Sequence, residues 1–198
     1  MIRRRFRVWH QGWPGHPVLW AKDPPGGDGR YHRAGSRATW YGSTTERGAW
    51  AEFFRHLEDD VSPFEFYRRV GRVDYSVLVL DLTSRRLREA LGVTRSELTG
   101  DDLPICQALA DLAAGAGFEA IRGPSGALDT EVTLAVFDSA IVTRAAGVLD
   151  KGRRTAPLRL AVVLRAVHVP PATAPWLGRR YDEIATRIER ARGSRRRR

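Results

Sequence analysis

Polar and apolar residues alternate through residues 5–9, Arg-Phe-Arg-Val-Trp, the period of a half-buried strand. The alternation stops in a Pro- and Gly-rich stretch, residues 12–35, which reads as a long loop; loops of that length inside a compact domain are often functional. Residues 38–41 predict a second short strand. Ser43 then reads as a helix N-cap, with Glu46 three residues on completing a capping box. Trp50, Phe53, Phe54 and Leu57 follow at helical spacing. Residues 73–82 end in a continuous apolar run, as a buried central strand does. A charged connection over 84–100 carries a short helical piece at 87–91. Residues 104–116 predict a second amphipathic helix with Ile105, Leu109, Leu112 and Ala113 on one face. Strand material recurs at 118–121, 133–137 and 140–142, and an apolar run at 158–164 predicts a last strand. Tyr181, Ile184 and Ile188 then space an amphipathic basic helix that ends in the arginines of 195–198. This mixed order predicts an α+β fold class with a curved, mostly antiparallel or mixed sheet flanked by helices.

Composition narrows the class. A chain of 198 residues with 42% hydrophobic and 28% charged residues has the make-up of an ordinary globular domain plus an extension. The expected division is a main domain over 1–150 and a basic extension over 151–198. A single cysteine, Cys106, excludes an intramolecular disulfide framework and suits a reducing compartment. No apolar run approaches the roughly 20 residues of a membrane span. The opening MIRRRFRVWH lacks the apolar segment of a secretory signal, so the expected location is cytoplasmic. The net charge of +10 is unevenly placed, because residues 151–198 hold 14 Lys+Arg against 3 Asp+Glu. The body is close to neutral, which argues against a nucleic-acid-binding fold and confines that reading to the tail. A short terminal arginine run is usually a solvated end; contact with nucleic acid or an acidic partner is the alternative.

The chemistry concentrates in residues 26–52. Glycines 26, 27, 29 and 35 surround Arg30, an aromatic pair Trp40-Tyr41 follows, and Glu52 comes next on the predicted helix. Glycine permits close backbone approach to a ligand. Arginine binds phosphate through a planar fork. A carboxylate beside an aromatic can orient a ribose and stabilise a developing cation. Together these point to a nucleotide pocket. Glu52 lies about 200° round the helix from Trp50, off the apolar stripe, so spacing alone also fits an ordinary exposed acid. Arg7 on the first strand either enters a cleft or sits on the solvated face. Ser125 falls in Arg-Gly-Pro-Ser-Gly, a sharp turn after a strand, without the G-x-S-x-G setting of a hydrolase nucleophile. Cys106 reads as a small helix residue rather than a nucleophile. The five histidines are scattered, with no metal-ligand spacing, and no Walker A or Rossmann turn is present.

The ordered set GGDGRYHRAG, WYGST, AWAE, VLDLTS, GFEAIRGPSGA and LAVFD, over roughly residues 5–145, resembles the RES domain family, named for its arginine, glutamate and serine. The matching positions are Arg30, Glu52 and Ser125, with Tyr41 where the family has a tyrosine between arginine and glutamate. Arg7 is the best match to a first-strand arginine, with Arg5 the alternative. Tyr31-His32 stands where the family usually has Trp-Asn, and Tyr31 is taken with Arg30, Tyr41, Arg7 and Ser125 as substrate-binding. The resemblance implies an ADP-ribosyltransferase-like fold and cleavage of NAD+ by hydrolysis or phosphorolysis, with NAD as substrate and no metal. Transfer of ADP-ribose to a macromolecule is the alternative. It also implies a toxin whose cleft is blocked by an Xre-like antitoxin. A homodimer and a nucleic-acid contact by the Arg-rich tail stay open.

Overall fold

Strand alternation becomes a closed sheet with two differently used faces. The computed structural model describes residues 2–56 and 68–152. Leu57, the side chain of Phe54, and the strand and helix expected beyond residue 152 lie outside the described residues. The elements, in order, are β1 (Arg3–Gly12), β2 (Thr39–Ser43), α1 (Glu46–Arg55), β3 (Arg69–Asp81), α2 (Arg85–Leu91), α3 (Arg95–Thr99), α4 (Pro104–Gly115), β4 (Ala120–Pro124), β5 (Val132–Phe137), α5 (Ser139–Val142) and β6 (Gly147–Asp150). The sheet order is β1-β2-β5-β4-β3-β6, and β1 also pairs with β3, so five strands close into a small barrel with β6 alongside β3. The longest ladder runs from Arg3↔Leu78 to Gly12↔Arg69 between β1 and β3. The β3–β4 pair is parallel and the others are antiparallel, so the α+β class with a mixed sheet holds.

Every strand of the ring sends side chains inward: Val8, Trp40, Val73, Tyr75, Val77, Ala120, Leu134 and Val136 form one fully buried cluster. Polar atoms there are satisfied, as burial demands. The Trp40 indole N–H donates to the Val18 carbonyl at 2.9 Å, and the Tyr75 hydroxyl donates to the Val142 carbonyl at 2.8 Å. The alternate positions Tyr41, Ile121, Ala135 and Phe137 face outward into a second cluster with Tyr31, Leu98, Cys106, Leu109 and Ala110. That cluster is roofed by α3 and α4.

Four expectations are corrected. Ser43 is not the cap of α1: it is still in the ladder opposite Thr133, and the Thr45 hydroxyl takes up the Gly48 N–H at 3.0 Å. Residues 140–142 are helix rather than strand, because the Asp138 carboxylate accepts the Ala140 N–H at 2.8 Å and starts α5. Leu112 is 69% exposed; α4 instead presents the small residues Cys106, Ala110 and Ala113 to the sheet, which lets helix and strands approach closely. The 84–100 connection holds a second helix, α3, opened by a capping box between Thr94 and Glu97. β6 had no counterpart in the sequence reading.

Candidate active site

The loop carrying Arg30 has no regular structure, yet it is clipped at several points. The Tyr41 hydroxyl accepts the Tyr31 N–H at 2.9 Å and lies 2.8 Å from His32 Nδ1. The Gln107 amide, from α4, donates to the Gly29 and His32 carbonyls at 3.2 and 3.1 Å. Glycine is needed at 29, where a Cβ would run into the His32 ring. Arg30 Nη1 then donates to the carbonyls of Leu98 at 2.7 Å and Gly100 at 2.9 Å. Both acceptors are neutral, so the guanidinium is positioned without its charge being cancelled.

Glu52 and Ser125 meet across this loop. The Ser125 hydroxyl accepts the Ala127 and Leu128 N–H groups, each at 3.1 Å. Its own proton is therefore directed at Glu52 Oε1, 2.6 Å away. Thr133 Oγ1, on β5, lies 3.4 Å from the same oxygen. Ser125 is buried and Glu52 half-buried, so one carboxylate oxygen is held while the residue keeps partial exposure. Behind the turn, buried Glu131 accepts from Thr44 at 2.8 Å and Arg47 at 3.1 Å, while its carbonyl takes the Ser125 N–H at 3.0 Å. Glu131 and Thr133 were missed in the sequence, where nothing separates them from ordinary strand-edge residues.

The Tyr31 side chain is fully buried, and its hydroxyl has no hydrogen-bond partner among the described residues. Burial raises the phenol above its ordinary range, and the charge of Glu52 adds to this while Arg30 opposes it. The Tyr41 phenol is raised for the same first reason. His56, the residue just past the end of α1, is lowered chiefly by desolvation, partly offset by Glu52. Burial also raises the Cys106 thiol, which keeps it protonated and unreactive.

The structure thus brings Arg30, Tyr31, Tyr41, Glu52 and Ser125 together. It does not bring Arg7: that guanidinium is exposed and pairs with Asp74, directly opposite on β3, at 3.0 and 3.3 Å. Arg5 is exposed on the same strand. An arginine that sequence reading passed over, Arg55, does reach the site. Its guanidinium pairs with Asp101 and, with that of Arg30, converges on Gly126. Three residues beyond Glu52 on a helix is the spacing that could have signalled it. Among the described residues no group of three or more His, Cys, Asp or Glu side chains could hold a metal ion, and no helix is long and apolar enough to cross a membrane.

Comparison with known proteins bears on this arrangement. The sequence model of the RES domain matches residues 4–161. A Mycobacterium tuberculosis protein named as a probable NAD(+) phosphorylase is 52% identical over 134 residues, which are 67% of this chain and 65% of that protein. The match thus spans just under two thirds of the relative's length. A chain in the crystal structure of the M. tuberculosis MbcT–MbcA toxin–antitoxin complex superposes with a TM-score of 0.66 at 20% identity, covering 83% of this chain and 90% of its own. That last likeness is one of fold.

Proposed function

The chain belongs to the RES domain family, and from that premise we propose that it degrades NAD+ by breaking the nicotinamide–ribose bond, with phosphate as acceptor, and acts as the toxin of a toxin–antitoxin pair. The observation that carries this is the 2.6 Å hydrogen bond from a doubly anchored Ser125 hydroxyl to Glu52, beside an arginine held by two neutral carbonyls. Breaking the bond develops positive charge at the anomeric carbon. Glu52 hydrogen-bonds the ribose hydroxyls and stabilises that charge at close range. Ser125 fixes the carboxylate's direction and stays uncharged throughout. Arg30 neutralises the pyrophosphate. Tyr41 acts through the loop, holding the Tyr31 amide so that Arg30 and Tyr31 stay in place. Nicotinamide leaves with the bonding electron pair, which neutralises its ring nitrogen, and a phosphate oxygen bonds to the anomeric carbon; in hydrolysis water takes that place.

The phosphorylase name of the 52%-identical relative supports phosphate over water and over a macromolecular acceptor. The superposed toxin–antitoxin structure supports an antitoxin partner. We read that partner as an Xre-like protein covering the cleft, the fold as ADP-ribosyltransferase-like, the location as cytoplasmic, and residues 151–198 as an extension outside catalysis. The test is NAD+ consumption by purified protein, with and without phosphate, beside Glu52→Gln. Phosphate-dependent loss that vanishes in the variant is expected. NAD+ loss undiminished in a folded Glu52→Gln overturns the assignment. Label carried onto protein or nucleic acid in place of free product moves it to a transferase.

A further inference from the structure

We propose that Arg55 and Arg30 form a two-guanidinium clamp for a phosphate group, their guanidinium ends converging where Gly126 has no side chain. The inference deepens the reading above and rests on it for the identity of the phosphate's carrier. Arg55 stands in the last turn of α1, three residues past Glu52, with its side chain 19% exposed. Its terminal nitrogens lie 3.4 Å from the Thr99 carbonyl, and Nη2 pairs with Asp101, whose side chain is 89% exposed. A carboxylate so solvated is a weak partner that a doubly charged phosphate displaces readily. Arg30 makes no ion pair among the described residues.

Gly126 shows where the two guanidiniums point. Its backbone is not in the left-handed region, so the chain's path does not require glycine. What a Cβ would meet is Arg55 Nη1 and, at 2.6 Å, Arg30 Nη2. Both are far ends of side chains, so a methyl group would displace the clamp rather than break the fold. Two like charges converging on one small residue repel unless an anion sits between them. The place is next to Ser125, hence beside Glu52, within reach of both phosphate groups the reaction uses. One is the dinucleotide's pyrophosphate and the other is the attacking inorganic phosphate.

The experiment is isothermal titration of the full chain with ADP-ribose and, separately, with inorganic phosphate, using wild type, Arg55→Gln, Arg55→Lys and Gly126→Ala, with circular dichroism as a check on folding. A clamp on the pyrophosphate predicts that Arg55→Gln and Gly126→Ala weaken ADP-ribose about tenfold or more and leave inorganic phosphate unchanged. A clamp on the acceptor predicts the reverse. Arg55→Lys, with charge but no fork, falls between wild type and Arg55→Gln in either case. Unchanged binding of both ligands by folded Arg55→Gln overturns the clamp, as does a wild type that binds neither. These titrations need no turnover. Arg55-dependent binding by a protein that leaves NAD+ intact would remove the enzyme and keep the clamp, whereas NAD+ loss with binding indifferent to Arg55 would do the opposite.

Discussion

The two faces of one barrel are built from the same strands and used in opposite ways. Inside, apolar side chains fill the space and the buried polar tips of Trp40 and Tyr75 each find a backbone carbonyl. Outside, over β2, β4 and β5, the same alternation presents Tyr41, Thr133 and the turn at Ser125 to a loop and two helices. There Arg30 is held by carbonyls and Glu52 by a serine, neither in an ion pair among the described residues, while Tyr31 is tethered through its backbone N–H and its buried hydroxyl has no hydrogen-bond partner among them. The inner face gives stability and the outer face keeps polar groups ready for a ligand. A protein with this division should let stability and activity be damaged separately.

The largest expected effect is on the inner face. Trp40 is fully buried, stacked by His10 at 4.8 Å and met edge-on by Tyr75 at 5.2 Å. Trp40→Ala should cost about 3–5 kcal/mol, read as a fall in the urea midpoint, and should remove activity only by unfolding the chain. Next comes the outer face. Glu52→Gln keeps the acceptor that Ser125 needs but removes the charge, so the rate of NAD+ loss should fall by about a hundred- to a thousandfold with the urea midpoint almost unmoved. If Glu52→Gln unfolded the protein as Trp40→Ala does, the division between the faces would be wrong.

What could be read from the sequence follows this same division. The inner face was legible because its signals are local: β1 by alternation, β3 by a continuous apolar run, β2 and β5 as short strand stretches and α4 by helical spacing. Barrel closure was not, since nothing local says that β1 pairs with both β2 and β3. At the site, Arg30, Glu52 and Ser125 emerged through ordered motifs that carry the family resemblance. The spacing of Glu52 alone fits a solvated acid equally well. Arg7 was misplaced because an odd strand position fixes only the face, and here that face meets Asp74 rather than the cleft. Arg55 and Glu131 escaped because their partners, Asp101 and Thr44, lie 46 and 87 residues away. Thr94–Glu97 was readable as a capping box and was passed over as charged connection.

A smaller effect links the faces through His10. Its ring stacks on Trp40 inside the barrel, and its Nδ1–H donates to the Tyr41 carbonyl at 2.7 Å, which fixes the neutral tautomer. Desolvation pushes this imidazole from 6.5 down to about 4, against the favourable Tyr41 contact and with help from Arg68. Between those values the unfolded chain binds a proton that the native ring refuses. Stability is therefore fully present above that window and falls as pH drops through it, by about 2 kcal/mol between pH 7 and pH 5. Urea midpoints at pH 7 and pH 5 should show the fall in wild type and a reduced slope in His10→Phe. An equal slope in both proteins would assign the pH dependence to other groups.

The finest test sets one buried tyrosine against another. Tyr75 and Tyr31 are both essentially inaccessible to solvent, and burial raises both phenols. Tyr75 spends its proton on the Val142 carbonyl, so Tyr75→Phe strands a buried acceptor and should cost about 1–2 kcal/mol, with activity per folded molecule unchanged. The Tyr31 hydroxyl lies against Gly123 with no partner among the described residues, so Tyr31→Phe removes a group that the fold does not use. Its urea midpoint should stay within about 0.5 kcal/mol of wild type, on either side. Its rate of NAD+ loss should fall several-fold if the hydroxyl, which feels the charges of both Arg30 and Glu52, takes part in binding the substrate. A Tyr31→Phe protein as destabilised as Tyr75→Phe, with normal turnover, would show that the hydroxyl is tied down within the protein. The outer face would then be as fully satisfied as the inner one, and the contrast between the two would rest on Glu52 and the arginines alone.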